Sequence, residues 1–435
     1  MNTPLPPGNP GLPFLGETLA LLADPYQFQT ERRLRYGPVF RSRILGREFA
    51  FLSGPEGMEA FLDPERVSRQ NGHPGHVGEL FAGKNMGMLD GPRPAVLKRA
   101  MLSAFTPEHL ERYLAELRPL FSQSLQAWAA RGGGALEVEL QRLAVSAIAR
   151  NVLGLEGGPQ LESLFQNYLR LTAGFLSPPI NLPGTTYRRA LAARDAVVRH
   201  LGELVVARRA APCADGLSAM LQAPPADGRA LDDLEVVLEL NHMFIAGYIV
   251  YALFAELMMR LAADPALAAR VEAEIMGLPE ALSIASLGRS TLLTHLIMEA
   301  KRTAPIVPFA FGSAAKTFTH AGFLVPEGWG VQLALTLSNS DPAVFTQPEQ
   351  FDPDRYAAPR EEHRKHPHAW HPQGSGPPEG HRCLGVEYST LVTELFLIEL
   401  VRGYRYRLPP GPAARRWNLI PAGFVDGFKV ELSPR

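Results

Sequence analysis

Between Glu239 and Glu256 lies an uncharged stretch, residues 243–255, that is apolar on every side of a helical wheel. A helix of that kind has no face for water, so the rest of the chain must wrap around it. Its N-terminus is predicted at the acidic pair Asp232 and Asp233, which suits the positive end of a helix, and its C-terminus near Leu261, ahead of Asp264-Pro265. At 1.5 Å per residue such a helix is roughly 45 Å long and crosses an entire domain. The apolar run itself is short of a membrane span. The small pair Ala246-Gly247 at its centre leaves space for something flat or bulky to approach the backbone.

Helical periodicity dominates elsewhere. Short β-type segments are predicted at residues 38–45, 48–53, 321–325 and 331–337, each bounded by Gly or Pro, and loop signals cluster at 4–13, 224–228 and 367–380. The layout is mainly α (α+β), without repeats and with no low-complexity tract beyond the Pro-rich N-terminus and the glycines at 132–134. The 435 residues carry 43 basic and 44 acidic side chains, for a net charge of −1, which disfavours nucleic acid and anionic membrane surfaces as partners. The two cysteines, Cys213 and Cys383, are far apart, which argues against a disulfide framework and for a reducing compartment. Residues 1–16 have neither a basic segment nor a long apolar run, so neither a signal peptide nor a membrane anchor is expected, and the protein is expected to be cytoplasmic.

A second strong helix begins directly after Cys383, with Leu391, Leu395, Ile398 and Val401 at helical spacing. Cys383 is thus predicted at a helix N-terminus behind Gly380-His381-Arg382. There the dipole and neighbouring positive charge favour the thiolate, making the residue a nucleophile or a metal ligand. A buried structural cysteine is the commoner fate of a free thiol, but it needs no Gly-rich basic loop in front of it. A Cys–His protease would carry a local signature absent here.

Residues 380–385, Gly-His-Arg-Cys-Leu-Gly, resemble the haem-ligand loop of the cytochrome P-450 family. Glu299-Ala300-Lys301-Arg302 matches that family's Glu-x-x-Arg signature, and residues 351–356, Phe-Asp-Pro-Asp-Arg-Tyr, match the segment whose arginine completes its ion network. All three occur in the family's order. The likeness extends to Leu5-Pro6-Pro7-Gly8, to Tyr36-Gly37-Pro38 and to residues 90–107, which resemble the hinge, first sheet and helix C. It implies a single domain over 1–435, with a large helical body, a long central helix and a smaller β-rich lobe from about 36–62 and 306–340. It further implies haem b held by Cys383, with Glu299, Arg302 and Arg355 as a structural network. Residues 178–185, Tyr187, Arg194, Lys316-Thr317-Phe318 and 322–329 resemble the retinoic-acid-hydroxylase branch. The implied activity is therefore a monooxygenase hydroxylating an unactivated C–H bond of a lipophilic substrate, a carotenoid or retinoid type of ring, with dioxygen and electrons from ferredoxin and ferredoxin reductase. A monomer is expected.

Departures from the family pattern bear on mechanism. After Ala246-Gly247 the family places an acid and a threonine that deliver protons; here Ile249 and Val250 stand there, and neither can donate. Tyr248 and Tyr251 offer nearby hydroxyls, though core packing is the more common use of aromatics on a buried helix. Fatty-acid peroxygenases of the family also lack that pair, and residues 372–376, Pro-Gln-Gly-Ser-Gly, resemble their loop, yet their arginine clamp on the long helix is missing. A peroxygenase and a non-catalytic lipophile-binding haem protein are the alternatives. The helix C positions for propionate cations hold Pro94 and Lys98, and a further arginine position holds Gly312. Lys98 and His381 become the expected partners, with Arg99 and Arg382 as alternates. Gly385 and Ala246 are expected against the cofactor and Gly247 and Val250 at the reacting centre. The pocket is expected to be lined by Phe81, Met86, Met88, Ile245, Ile249, Val250, Pro308, Phe309 and Phe311, with almost no polar handle.

Overall fold

The computed structural model describes residues 3–435. Six strands, β1 (Gly8–Asn9), β2 (Val39–Ile44), β3 (Arg47–Leu52), β4 (Val67–Ser68), β5 (Phe309–Ala314) and β6 (Gly330–Ala334), form one sheet in the order β1-β2-β3-β6-β5-β4. The β2–β3 hairpin turns on Leu45 and Gly46, both at positive φ, which matches the twist of the flanking strands. β3 pairs in parallel with β6, so the late chain returns beside the early chain. Gly330 permits this approach, because a Cβ there would lie 2.2 Å from the Phe49 ring.

Residues 335–337, predicted as strand, instead form the helical turn Leu335–Ser338. Ser338 Oγ donates to Ala334 O at 2.8 Å and closes this turn, which carries Asn339 toward Arg302. Of the predicted strand at 321–325 only Phe323–Val325 is extended, because Ala321 and Gly322 make the positive-φ turn of a small hairpin with Phe318–His320.

Five helices position the site: α1 (Arg93–Leu102), α2 (Asp233–Tyr248), α3 (Tyr251–Ala263), α4 (Thr291–Thr303) and α5 (Val386–Gly403). A capping box opens α2, with Asp232 accepting from the Glu235 N–H at 2.8 Å and Glu235 accepting from the Asp232 N–H at 3.1 Å. The predicted single helix is interrupted: α2 and α3 are separated by Ile249 and Val250. Around the break Val250, Ala252 and Leu253 N–H groups bond three residues back, to Gly247, Ile249 and Val250 carbonyls. Two consecutive β-branched residues crowd the turn and favour this tighter winding. By length and composition residues 233–263 would suffice to cross a membrane, contrary to the sequence expectation, but 72% of their most apolar window is buried inside the protein. Phe254 of α3 stacks on Phe396 of α5 with ring centres 4.4 Å apart, joining the two helices in the main core.

Glu299, Arg302 and Arg355 meet as the sequence motifs imply, with side chains fully buried. Glu299 accepts five hydrogen bonds: two from Arg302, one from Arg355, one from the Tyr356 hydroxyl and one from the Asp352 N–H, all between 2.7 and 3.0 Å. Sequence reasoning missed Glu362, whose carboxylate accepts from Arg355 at 2.7 Å. Burial pushes the Glu362 carboxyl up, but Arg355, Arg360 and the Thr346 N–H hold it below the ordinary range. Arg302 also donates to Asn339 O at 2.9 Å, and Asn339 Oδ1 accepts from the His371 N–H at 3.2 Å. The network therefore reaches the start of the loop that carries Cys383. Glu299→Leu would leave Arg302 buried without its anion and Arg355 with Glu362 alone. The expected loss is about 3–5 kcal/mol, read from urea unfolding; a loss below about 1 kcal/mol would contradict a buried, mutually satisfied network.

Candidate active site

One cavity of about 440 Å³ lies between α2–α3 and the loop preceding α5. Cys383 and Gly385 border it on one side and Ala246, Gly247, Ile249 and Val250 on the other. Cys383 sits two residues ahead of Gly385, the N-cap of α5, and its sulfur accepts from the Gly385 N–H at 3.4 Å. The loop is shaped by Gly374 and Gly376, both at positive φ; a Cβ on Gly374 would meet His381 O at 3.0 Å. Its register is fixed where the Cys383 N–H donates to Gln373 O at 2.9 Å. Burial pushes the Cys383 thiol up, against the expectation of a readily formed thiolate. The Gly385 N–H, Lys301 and Lys98 pull the other way. A metal cation bound to sulfur would supply the remaining stabilisation.

Lys98 of α1 is almost fully buried and donates to Gly380 O at 2.6 Å and to Arg382 O, so it clamps the cysteine loop while lining the cavity. Burial lowers its pKa. His381 borders the cavity, and desolvation together with Arg69 and Lys98 pushes its imidazole down to about 4. Arg382 also lines the cavity, with Glu387 at 3.8 Å, whereas Arg99 is exposed and away from it. Arg69 was not anticipated. It is 6% exposed, lies over the Phe61 ring at 3.8 Å and faces the same cavity. Gly312 is explained by packing, because a Cβ there would stand 2.4 Å from Val67. The cations Arg69, Lys98 and Arg382, with His381 beside them, fit a bound group bearing carboxylates, which would relieve their mutual repulsion.

Met86, Ile249, Val250, Phe309 and Phe311 line the cavity, but Phe81, Met88, Ile245 and Pro308 do not. Residues 242, 243, 246, 247, 249, 250 and 253 form the cavity stripe of the central helices, and Ile245 lies off that stripe in the main core. Phe81 packs against Phe175 and His242 instead. Pro308 turns its carbonyl to the Thr336 N–H, and buried Met88 closes the short turn with Met86 behind the wall. Gly247 reaches the cavity, yet its lack of a side chain also serves Ile148, which a Cβ would meet at 2.7 Å. Tyr248 and Tyr251 pack on each other at 5.4 Å in the core and stay off the wall.

The expectation of an apolar pocket without polar handles needs correction, because Arg69, His73, His242 and Thr336 all line it. His73 lies against the Phe311 ring at 5.0 Å, and burial, His242 and Arg69 push its imidazole down to about 4. His242 was legible in principle, standing one helical turn before Ala246. Lys301 was legible as well, since it follows Leu293 and Ile297 at four-residue steps on the buried face of α4.

Residues 6–418 match the family described as Cytochrome P450. The human protein Cytochrome P450 26C1 is 28% identical over 470 residues, covering 99% of this chain and 89% of the relative. Abscisic acid 8'-hydroxylase 4 of Arabidopsis thaliana is 28% identical over 428 residues, covering 96% and 90%. A solved structure described as retinoic acid bound cyanobacterial CYP120A1 superposes with a TM-score of 0.91 at 25% identity, over 100% of both chains.

His371 leads into the cysteine loop and is fully buried; its Nδ1–H donates to His368 O at 2.6 Å, and its Nε2 has no partner. Burial, helped by His368 and His366, pushes its pKa down to about 4. Below the ordinary value of 6.5 the unfolded chain binds a proton that the fold refuses. Its contribution is therefore intact above pH 6.5 and lost as pH falls toward 4, at up to about 1.4 kcal/mol per pH unit. Urea unfolding of a His371→Phe variant across this window should show a shallower acid dependence than the parent, and parallel curves would refute the assignment.

Proposed function

This chain belongs to the cytochrome P450 family, and we propose that it hydroxylates a C–H bond of an isoprenoid-type molecule with Cys383 as the thiolate ligand of its haem. Haem b is the cofactor and the protein is a monooxygenase, in the branch that includes retinoic acid and abscisic acid hydroxylases. The observation that carries the reading is Cys383 across a single cavity from Ala246, Gly247 and Val250. When bound, haem supplies the activation of dioxygen; the chain positions the cofactor and substrate and keeps water out.

In this reading Lys98 holds the cysteine loop by the carbonyls of Gly380 and Arg382, and the Gly385 N–H holds the sulfur. Arg69 and Arg382, with Lys98, supply positive charge for the two haem propionates, and His381, neutral where it stands, can offer a ring N–H. Ala246 and Gly247 give the flat cofactor room against the helix. Val250 and Ile249 form an apolar wall at the reacting centre, so protons have to arrive through water or from the substrate rather than from this turn of helix. Met86, Phe309 and Phe311 offer a lipophilic surface, and His73 and His242 offer hydrogen bonds to an oxygen function at the substrate's other end. That combination suits an isoprenoid carboxylic acid, the class to which the molecule bound by the cyanobacterial neighbour belongs.

Electrons would come from a ferredoxin-type donor. The apolar Ile249–Val250 turn also favours a second reading, a peroxide-dependent oxygenation of a fatty acid whose own carboxylate handles the proton. Purified, haem-loaded protein given retinoic acid, ferredoxin and ferredoxin reductase is expected to form a product heavier by one oxygen atom, and Cys383→Ser should abolish it. Product from a long-chain fatty acid with hydrogen peroxide alone, and none from the donor system, would overturn the first reading in favour of the second.

A further inference from the structure

Lys301 occupies one of the two middle positions of the Glu-x-x-Arg signature, 5% exposed, on the side of the cavity that holds Cys383. Its Nζ is surrounded by three acceptors on the first turn of α5: Val386 O at 3.1 Å, Ser389 Oγ at 3.0 Å and Thr390 Oγ1 at 2.8 Å. Both hydroxyls spend their own protons on Val386 O, at 3.0 and 2.8 Å, so toward Lys301 they act as acceptors. Three acceptors use three N–H donors, and only an ammonium has three.

Among the described residues this ammonium forms no ion pair with a carboxylate. A buried cation without a partner is costly, so its counter-charge has to be found nearby. The acids within electrostatic reach are Cys383, Glu387 and Glu394, with Arg382 opposing. Glu387 lies on the exposed rim, 64% exposed. Glu394 is buried, and desolvation, only partly offset by Lys301, pushes its carboxyl up to about 7. Of the three, Cys383 is the one that iron ligation fixes as an anion, and it lines the same cavity as Lys301. A polar bridge connects the two: Gln373 Nε2 lies 3.2 Å from Ser389 Oγ and 3.9 Å from the Cys383 sulfur.

We propose that Lys301 is a positioning residue that supplies the buried positive charge for the Cys383 thiolate and thereby raises the reduction potential of the haem it binds. The inference rests on the reading of Cys383 as the iron ligand. A ferric ion, a porphyrin dianion and one thiolate sum to zero charge; one electron from the redox partner makes the ferrous unit −1, with no bond made or broken. A fixed cation on the thiolate side favours that added charge. It also draws electron density from the sulfur, tempering the push toward O–O cleavage that a thiolate gives.

The test uses haem-loaded full-length protein, with reduction potentials from spectroelectrochemical titration and the absorption of the ferrous carbon monoxide complex. Lys301→Met, close in volume and uncharged, should lower the equilibrium constant for one-electron reduction about tenfold, a shift of ~59 mV to more negative values for one electron. Lys301→Arg, which keeps the charge, should stay within about threefold of the parent, ~30 mV on the same scale. Equal potentials for the Met variant and the parent, or equal shifts in both variants, would overturn the proposal. Should the Met variant fail to load haem, the Arg variant decides alone, a tenfold change or greater counting against the inference. A parent protein whose ferrous carbon monoxide complex lacks the thiolate-ligated band would instead remove Cys383 as ligand, an outcome distinct from a thiolate band with an unmoved potential.

Discussion

A single buried carboxylate, Glu299, holds two otherwise distant parts of the chain together. Its oxygens take hydrogen bonds from Arg302 on its own helix and from Asp352, Arg355 and Tyr356 more than fifty positions later. Water has no access, so each guanidinium is satisfied by protein or not at all. Arg302 and Arg355 accordingly spend their remaining N–H groups on backbone carbonyls of Asn339, Thr346 and Gln350. Through Asn339 the order passes to His371, the Gly374 turn and finally Cys383. A loop shaped by two positive-φ glycines is flexible by composition; here it is pinned at its start by this network, in its middle by the Cys383 N–H on Gln373 O, and near its end by Lys98.

The central helix contributes the opposite wall, and its break makes a different kind of constraint. At Ile249 and Val250 the winding tightens without help from any side-chain hydroxyl. The turn is thus maintained by backbone geometry and packing, while its surface toward the cavity is purely apolar. A wall of this kind excludes water well and relays protons poorly. Polar groups of the cavity, among them Arg69, His73, His242 and Thr336, stand elsewhere on its lining. On the proposed reading, substrate recognition and proton supply are therefore separated in a way that the usual acid and threonine would not require.

How much of this was legible depended on whether a residue's role is local. The buried helix, the strand segments near residues 39–52 and the helix after Cys383 follow from periodicity and turn residues, and the Glu299 partners from spaced motifs. The helix break was missed because a pair of β-branched residues mid-helix is a weak signal beside uniform apolarity. Ile245 was placed on the pocket wall because on an all-apolar helix the facing stripe is set by neighbours rather than by pattern. Arg69 reaches the cavity from the bend just after the short strand β4, and nothing in its local sequence marks the sheet edge beside it. Lys301 lies inside the Glu-x-x-Arg motif, where its four-residue spacing from Leu293 and Ile297 marks it as buried but nothing local marks what its charge faces.

The charges around the cavity tie cofactor binding to folding. Burial lowers the pKa of Arg69 to about 10 and of Lys301 to about 8, and depresses that of Lys98 in the same sense. On the proposed assignment the bound haem brings two propionates to the first wall and fixes a thiolate beside Lys301, so each cation gains an anion beyond the acids already near it. The same contacts return their pKa values toward the ordinary range, which is equivalent to stabilising the fold by the free energy of those interactions. A cavity that concentrates desolvated positive charge is on that assignment well suited to a dianionic cofactor with a thiolate ligand. On that assignment, selectivity for haem over neutral flat molecules arises from the protein's own desolvated cations, with the apolar residues of the central-helix stripe supplying shape rather than discrimination.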